Sequence, residues 1–205
     1  MTAFTEQEQQ RIKDTVAKVE LTTSGEIVPI IIPQADSYTA TSCRVASLIA
    51  LAATTFATWW HPGLAYWGIA LLLIGSFIAT SMLLRGWSAL RRYCIGSEEL
   101  QFRVEEQALT SFVRHGLHHT RDATGILILV CMFEKRVQVL ADRGINEKVA
   151  QQQWDEIVRI ITDGLKNGKA CDALCDAIEK CGALVSPHFE RRDDDTNELP
   201  DLIHH

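Results

Sequence analysis

The chain has 205 residues and a formal net charge of -6, and the roughly 165 residues outside its longest apolar stretch make one domain large enough for a real core. The acidic balance, with no basic cluster beyond the flanks of that stretch, argues against nucleic acid as a partner. Met1 to Lys18 is polar and rich in Gln and Glu, so a signal peptide, with its basic start and early apolar run, is not expected there.

Thr5 to Val19 reads as a helix, with Thr5 as N-cap, Glu8 three residues on completing a capping box, and Ile12, Val16 and Val19 as its apolar stripe. Ser24-Gly25 ends it, and the β-branched run Glu26 to Ile32 predicts a strand. Pro29 has no N–H for a ladder, which predicts an edge strand or a local irregularity.

From Val45 to Leu84, forty positions, there is no Lys, Arg, Asp or Glu, and only His61-Pro62-Gly63 interrupts the apolar run. This predicts two membrane-spanning helices, about 45–60 and 64–84, joined by a tight turn. The second is about 31 Å long, close to a hydrocarbon core of about 30 Å, and the first reaches that length if Thr39 to Cys43 continue the helix. Trp59, Trp60, Tyr66 and Trp67 bracket the turn, and Trp87 and Tyr93 lie toward the opposite interface. Ala46, Ala50, Ala53 and Ala57 are expected to face Gly68, Gly75 and Ala79. Arg44, Arg85, Arg91 and Arg92 flank the pair while the turn has no Lys or Arg, which predicts a multi-pass protein of the inner (cytoplasmic) membrane with its folded domain cytoplasmic.

Ser97-Glu98-Glu99 opens a helix that runs to Arg114, and Gly116 ends it. Gly125 begins the apolar run Ile126 to Val130, a central strand, and Arg136 to Ala141 alternates into a second strand expected to form a hairpin with it. Glu147 to Leu165 reads as one helix. Cys171, Leu174, Cys175, Ile178 and Cys181 mark the buried stripe of another, ending at Gly182 as C-cap. The six cysteines are expected to be reduced, and Cys171, Cys175 and Cys181 to be packed rather than ligating.

These elements compose an α/β fold: a single mixed-sheet domain with helices on both faces, interrupted by a two-helix transmembrane hairpin. Residues 1–43 and 93–190 form its two parts, 44–92 the hairpin, and 191–205 an acidic C-terminal tail. The strands at Glu26 and Gly125, joined by a crossover that contains a helix, are expected to be parallel.

Asp193, Asp194 and Asp195 offer hard-cation ligands, and Asp142 at a strand end is positioned to join them; a solvated acidic tail is the plainer reading. Asp193 to Thr196 nears an aspartyl-phosphatase signature but fails at Asn197 and lacks an apolar strand before it. His115, His118 and His119 with Arg121 read as a polar loop rather than a metal site, because Gly116 breaks the helix that would align them. Among the familiar signatures, no phosphate-cradling glycine loop and no serine elbow occurs.

The order of Thr23-Ser24-Gly25-Glu26-Ile27-Val28, His118-His119-Thr120, Gly125 to Ile128, Val137 to Ile145, Trp154, His188-Phe189 and Asn197-Glu198-Leu199-Pro200 resembles the TPM family, named for a thylakoid phosphatase, a photosystem repair factor and a receptor modulator. The chain looks like a bacterial branch in which a membrane hairpin splits the domain. The resemblance implies a mixed sheet with helices on both faces. It also implies acid phosphatase activity in some relatives, and a divalent-cation site to which Asp142, Asp193, Asp194 and Asp195 would correspond. In a cytosolic domain Mg²⁺ is expected before Ca²⁺, and no organic cofactor is expected. The function expected is a membrane-anchored, non-catalytic accessory or interaction module whose partners are the lipid bilayer and other membrane proteins. A metal-dependent phosphomonoesterase is the alternative.

Overall fold

The structure is a computed structural model that describes residues 4–120, 123–191 and 202–204. It resolves into two compact units, one made of Met1–Ala35 with Gln101–His205 and the other of Asp36–Leu100.

The first unit is built on strands β1 (Glu26–Ile32) and β2 (Gly125–Cys131), seven residues each and buried along their whole length. They pair in parallel from Glu26 opposite Gly125 to Ile32 opposite Cys131, as a crossover connection requires. β3 (Arg136–Ala141) returns antiparallel to β2, and β4 (Ile203–His204) lies parallel to β1, giving the order β3-β2-β1-β4. Because a strand's side chains alternate between faces, a strand covered on both sides reads as a continuous apolar run. Ile27, Ile31, Ile126, Ile128, Val130 and Val137 join one core, while Val28, Ile30, Ile32, Leu127, Leu129 and Cys131 join the other.

Helices α1 (Glu6–Glu20), α7 (Gln151–Lys166) and α8 (Ala170–Val185) fill the first core through Ile12, Val16, Trp154, Ile157, Leu174 and Ile178. Val104 and Ala108 of α5 (Ser97–Arg114), with Leu117 from the 3-10 turn that follows, cover the second face. The capping box at Thr5 and Glu8 is present: the Thr5 N–H donates to Glu8 Oε2 at 2.8 Å, and the Glu8 N–H to Thr5 Oγ1 at 3.3 Å.

Four local features depart from expectation. β1 is flanked by β4 over Ile30 and Ile31, yet Pro29 is still accommodated as at an edge. Glu26 N–H donates to Thr124 O and Ile32 O accepts from Met132 N–H, so the even-numbered positions of β1 turn toward β2 and Pro29 turns away from it. The helix expected from Glu147 begins four residues later, as α7 at Gln151, and a short helix that was not expected, α6 (Arg143–Asn146) capped by Asp142, precedes it. Gln153 Oε1 accepts from the Ala150 N–H at 3.1 Å and starts α7 there. Gly182 lies inside α8, which continues to Val185. A Cβ at Gly182 would run into Val19 Cγ1, so the glycine serves the close approach of α1 and α8 and not a cap. Finally, β4 falls in the stretch expected to be an acidic tail, with Leu202 packed in the first core and Ile203 in the second.

The second unit contains α2 (Thr39–Trp60), α3 (Tyr66–Gly86) and the short α4 (Ser88–Cys94), which sequence periodicity did not predict. α2 does extend back to Thr39, and at 22 residues it is about 33 Å long. It buries a ridge of small residues, Ala46, Ala50 and Thr54, at four-residue spacing. The Thr54 hydroxyl donates back to Ala50 O at 2.8 Å. The partner surface is not the one expected: a Cβ at Gly68 or Gly75 would meet nothing within 4 Å, and Ala79 is exposed. Leu84 is the buried residue of α3.

Candidate functional site

The hydrogen bonds of the first unit gather the sequence motifs at one end of the sheet, where β1 and β2 begin and β3 ends. Thr23 Oγ1 donates to Phe189 O at 2.8 Å, and the Gly25 N–H donates to Thr23 Oγ1 at 3.1 Å. Thr124 Oγ1 donates to Ser24 O at 3.0 Å and the Thr124 N–H to Thr120 Oγ1 at 3.0 Å. The Asp142 N–H donates to Gly125 O at 2.8 Å, and the Gly144 N–H to Ala123 O at 3.1 Å. Motifs that are far apart in sequence thus share one rim, held by threonine hydroxyls that satisfy backbone groups where the ladders stop.

The rim brings Glu26, Gly125 and Asp142 side by side on three neighbouring strands, through the Glu26–Gly125 pairing and the Asp142–Gly125 hydrogen bond. Their side-chain positions share the α5 face of the sheet by strand alternation. A Cβ at Gly125 would collide with Leu117 O, so the backbone of the 3-10 turn rests on that position. Glu26 is 7% exposed, a costly place for a carboxylate.

Asp142, the described member of the expected cation set, caps α6. Its Oδ1 accepts from the Arg143 N–H at 2.6 Å, while Oδ2 is buried with no hydrogen-bond partner among the described residues. Asp193, Asp194 and Asp195 lie outside the described residues. Among the described residues no three His, Cys, Asp or Glu side chains come together as a metal site. One acceptor oxygen falls short of the six to eight that Ca²⁺ takes or the octahedron Mg²⁺ demands, so the described residues do not by themselves fit either ion.

Sequence reasoning passed over Glu26, although its signal was visible: a carboxylate heading a strand that is otherwise wholly apolar. Among the described residues the histidines join no metal-holding group either; the His118 and His119 rings lie tilted to each other with centroids 3.8 Å apart in the 3-10 turn. Cys171, Cys175 and Cys181 are free and buried in the first core, and Cys131 in the second. Burial pushes the Cys181 thiol up to about 12 and raises the Cys131 thiol. Burial, then the adjacent Cys175, push Cys171 up to about 11. Such thiols stay protonated and are poor nucleophiles.

Residues 97–184 match the family model of the TPM domain. A search of curated proteins finds no match. Among solved structures, the chain is similar to the NMR structure of the BA42 protein from the psychrophilic bacterium Bizionia argentinensis sp. nov., with 21% sequence identity, a TM-score of 0.60, and coverage of 98% of this chain and 95% of that one. That likeness is one of fold.

Proposed function

We propose that the chain, whose residues 97–184 match the TPM domain model, is an anchored interaction module: two helices hold it in a bacterial inner membrane, and the α/β unit, on the cytoplasmic side, contacts other membrane proteins without catalysing a reaction. The observation that carries this reading is the bareness of α2 and α3. Both are long and apolar enough to cross a membrane, with mean hydropathies of 1.3 and 2.0 over their most apolar windows, and only 17% and 6% of those windows is buried. A core helix of a soluble protein hides its apolar surface. Here Leu48, Leu51, Phe56, Leu71, Ile74 and Met82 are all exposed, a surface that lipid would cover. The aromatic residues Trp59, Trp60, Tyr66 and Trp67 at the turn, and Trp87 and Tyr93 beyond α3, are exposed as interfacial anchors are. The non-catalytic part is supported by the buried cysteine thiols, which burial keeps protonated and poorly nucleophilic.

Topology is tested by thiol labelling in intact inner-membrane vesicles of known sidedness, after Cys43 and Cys94 are changed to Ser. A cysteine introduced at Gly63 should react only from the periplasmic side and one at Lys166 only from the cytoplasmic side; the opposite pattern, or extraction of the protein by alkaline carbonate, overturns the anchor reading. For the second part, detergent-purified protein should not hydrolyse a generic phosphate monoester with Mg²⁺ or Ca²⁺. Hydrolysis that disappears in Asp142→Ala would establish the phosphomonoesterase instead.

A further inference from the structure

Among the described residues β3 is an outer strand of the sheet, with no strand on its far side. Since the Asp142 N–H turns to Gly125 O on β2, alternation turns the backbone groups of Val137, Val139 and Ala141 outward. Ala141 O accepts from Asn146 Nδ2 at 2.6 Å, whereas Val137 and Val139 have no outward partner among the described residues. Beside these two residues lies a recess of about 410 Å³, walled on the helix side by Trp154, Asp155 and Val158 of α7. Trp154 is 4% exposed, and its Nε1 is buried with no acceptor among the described residues. A buried indole N–H ordinarily finds a partner, and the described residues leave this donor, on a side chain that lines the recess, unsatisfied.

We propose that this recess binds an extended segment of a partner polypeptide, which adds a fifth strand beside β3. Only an extended chain offers donors and acceptors at the two-residue repeat of Val137 and Val139, about 6.8 Å. Its alternate side chains enter beneath α7, where a backbone carbonyl or a Ser, Thr or Asn oxygen accepts from Trp154 Nε1. Lys135 and Arg136 line the recess together with Asp155, a mixed set that favours an uncharged segment over an acidic or basic one. A second copy of the chain fits poorly: its own α7 already packs on the corresponding face of its β3, with Val137 and Trp154 in one core, so its side chains are not free to enter. The inference deepens the interaction-module reading and rests on it.

The test presents full-length protein in detergent micelles to an array of random uncharged decapeptides. Val139→Pro removes the outward N–H and leaves the β2 ladder intact, a substitution edge strands tolerate; its thermal unfolding is compared with that of the parent. Peptides that bind the parent should bind Val139→Pro about tenfold or more weakly, the scale of one or two lost hydrogen bonds. N-methylation at alternate peptide positions should abolish binding in one phase and spare it in the other. Amide exchange at Val137 and Val139 should slow when peptide is added. Trp154→Phe should weaken binding several-fold at a temperature where the variant is still folded; the smaller ring also costs core packing, which thermal unfolding of the free variant reads separately. The proposal is overturned if no peptide prefers the parent over Val139→Pro, if N-methylation phase makes no difference, or if Trp154→Phe leaves affinity unchanged. It is equally overturned if Val139 is protected without peptide and increasingly so with protein concentration, which would put a second copy in the recess. Failure here with the labelling topology intact sinks the recess alone, whereas failure of the labelling sinks the anchor.

Discussion

The two units handle apolar surface in opposite ways. In the α/β unit Ile126, Leu127, Ile128 and Leu129 are inaccessible to solvent, and each helix turns one stripe inward. In the other unit α2 and α3 touch along a narrow ridge, and Leu48, Trp59 and Met82 are each at least two-thirds exposed. Both regions are rich in leucine and isoleucine, so apolar content does not separate the buried core from the bare helices; the pattern of charge does. α7 interleaves Asp155, Glu156 and Arg159 between its buried residues, whereas α3 carries no charge before Arg85.

That contrast can be broken by substitution, and the largest effect is expected in the core. Ile128→Ala should destabilise the α/β unit by about 2–5 kcal/mol through lost burial and the cavity left behind, read by chemical unfolding of detergent-solubilised protein. Ile74→Ala in α3 should leave that transition unmoved, and equal losses at the two sites would mean that α3 is a core helix. Ile74→Lys should oppose membrane insertion by about 2.5–3.5 kcal/mol if it lies near the bilayer centre, seen as a larger soluble or degraded fraction. A lysine without effect on membrane yield would contradict the anchor.

A smaller effect concerns the buried thiols. The folded unit holds Cys181 protonated from its ordinary value near 9 up to about 12. Above pH 9 the unfolded chain therefore has released a proton that the folded chain retains, and stability falls as pH rises through that window, by about 1.4 kcal/mol per unit for one such group. Cys181→Ala should flatten the slope between pH 9 and 10.5 in unfolding experiments, while Cys43→Ala, at an exposed position, should leave it as it was. Smallest of all, Thr5→Ala should cost about 1 kcal/mol by removing the cap of α1, again by chemical unfolding. No loss would mean that the box with Glu8 is not maintained in solution.

Much of the fold was legible because the decisive signals were local. The β-branched run of β1 and the apolar run within β2 were read as strands, and the Thr5 box marked the start of α1 to the residue. The later start of α7 was hidden because Val149 keeps the helical phase and is buried ahead of it, and because Ala150 has no capping side chain. β4 was hidden for another reason: two residues have no period, and Ile203 and His204 become a strand only by meeting Ile30 and Ile31 from the far end of the chain. Of the candidate site, Asp142 was legible as a strand-end carboxylate. Its unpartnered Oδ2 and its nearness to Glu26 across Gly125 depend on strand register, which the sequence leaves open until β1, β2 and β3 are aligned.

The parallel pairing of β1 with β2 also sets an order of events during synthesis. Glu26 and Gly125 are ladder partners separated by roughly a hundred residues, which at 5–20 residues per second leaves about 5–20 s between the emergence of one and the other. For that interval β1 exists as Glu-Ile-Val-Pro-Ile-Ile-Ile without its partner, while α2 and α3 are being made. Pro29 then has a second role beyond its place in the finished sheet. By withholding one donor from a strongly β-forming heptapeptide, it keeps the nascent strand from zipping onto a neighbouring chain before its own partner leaves the ribosome.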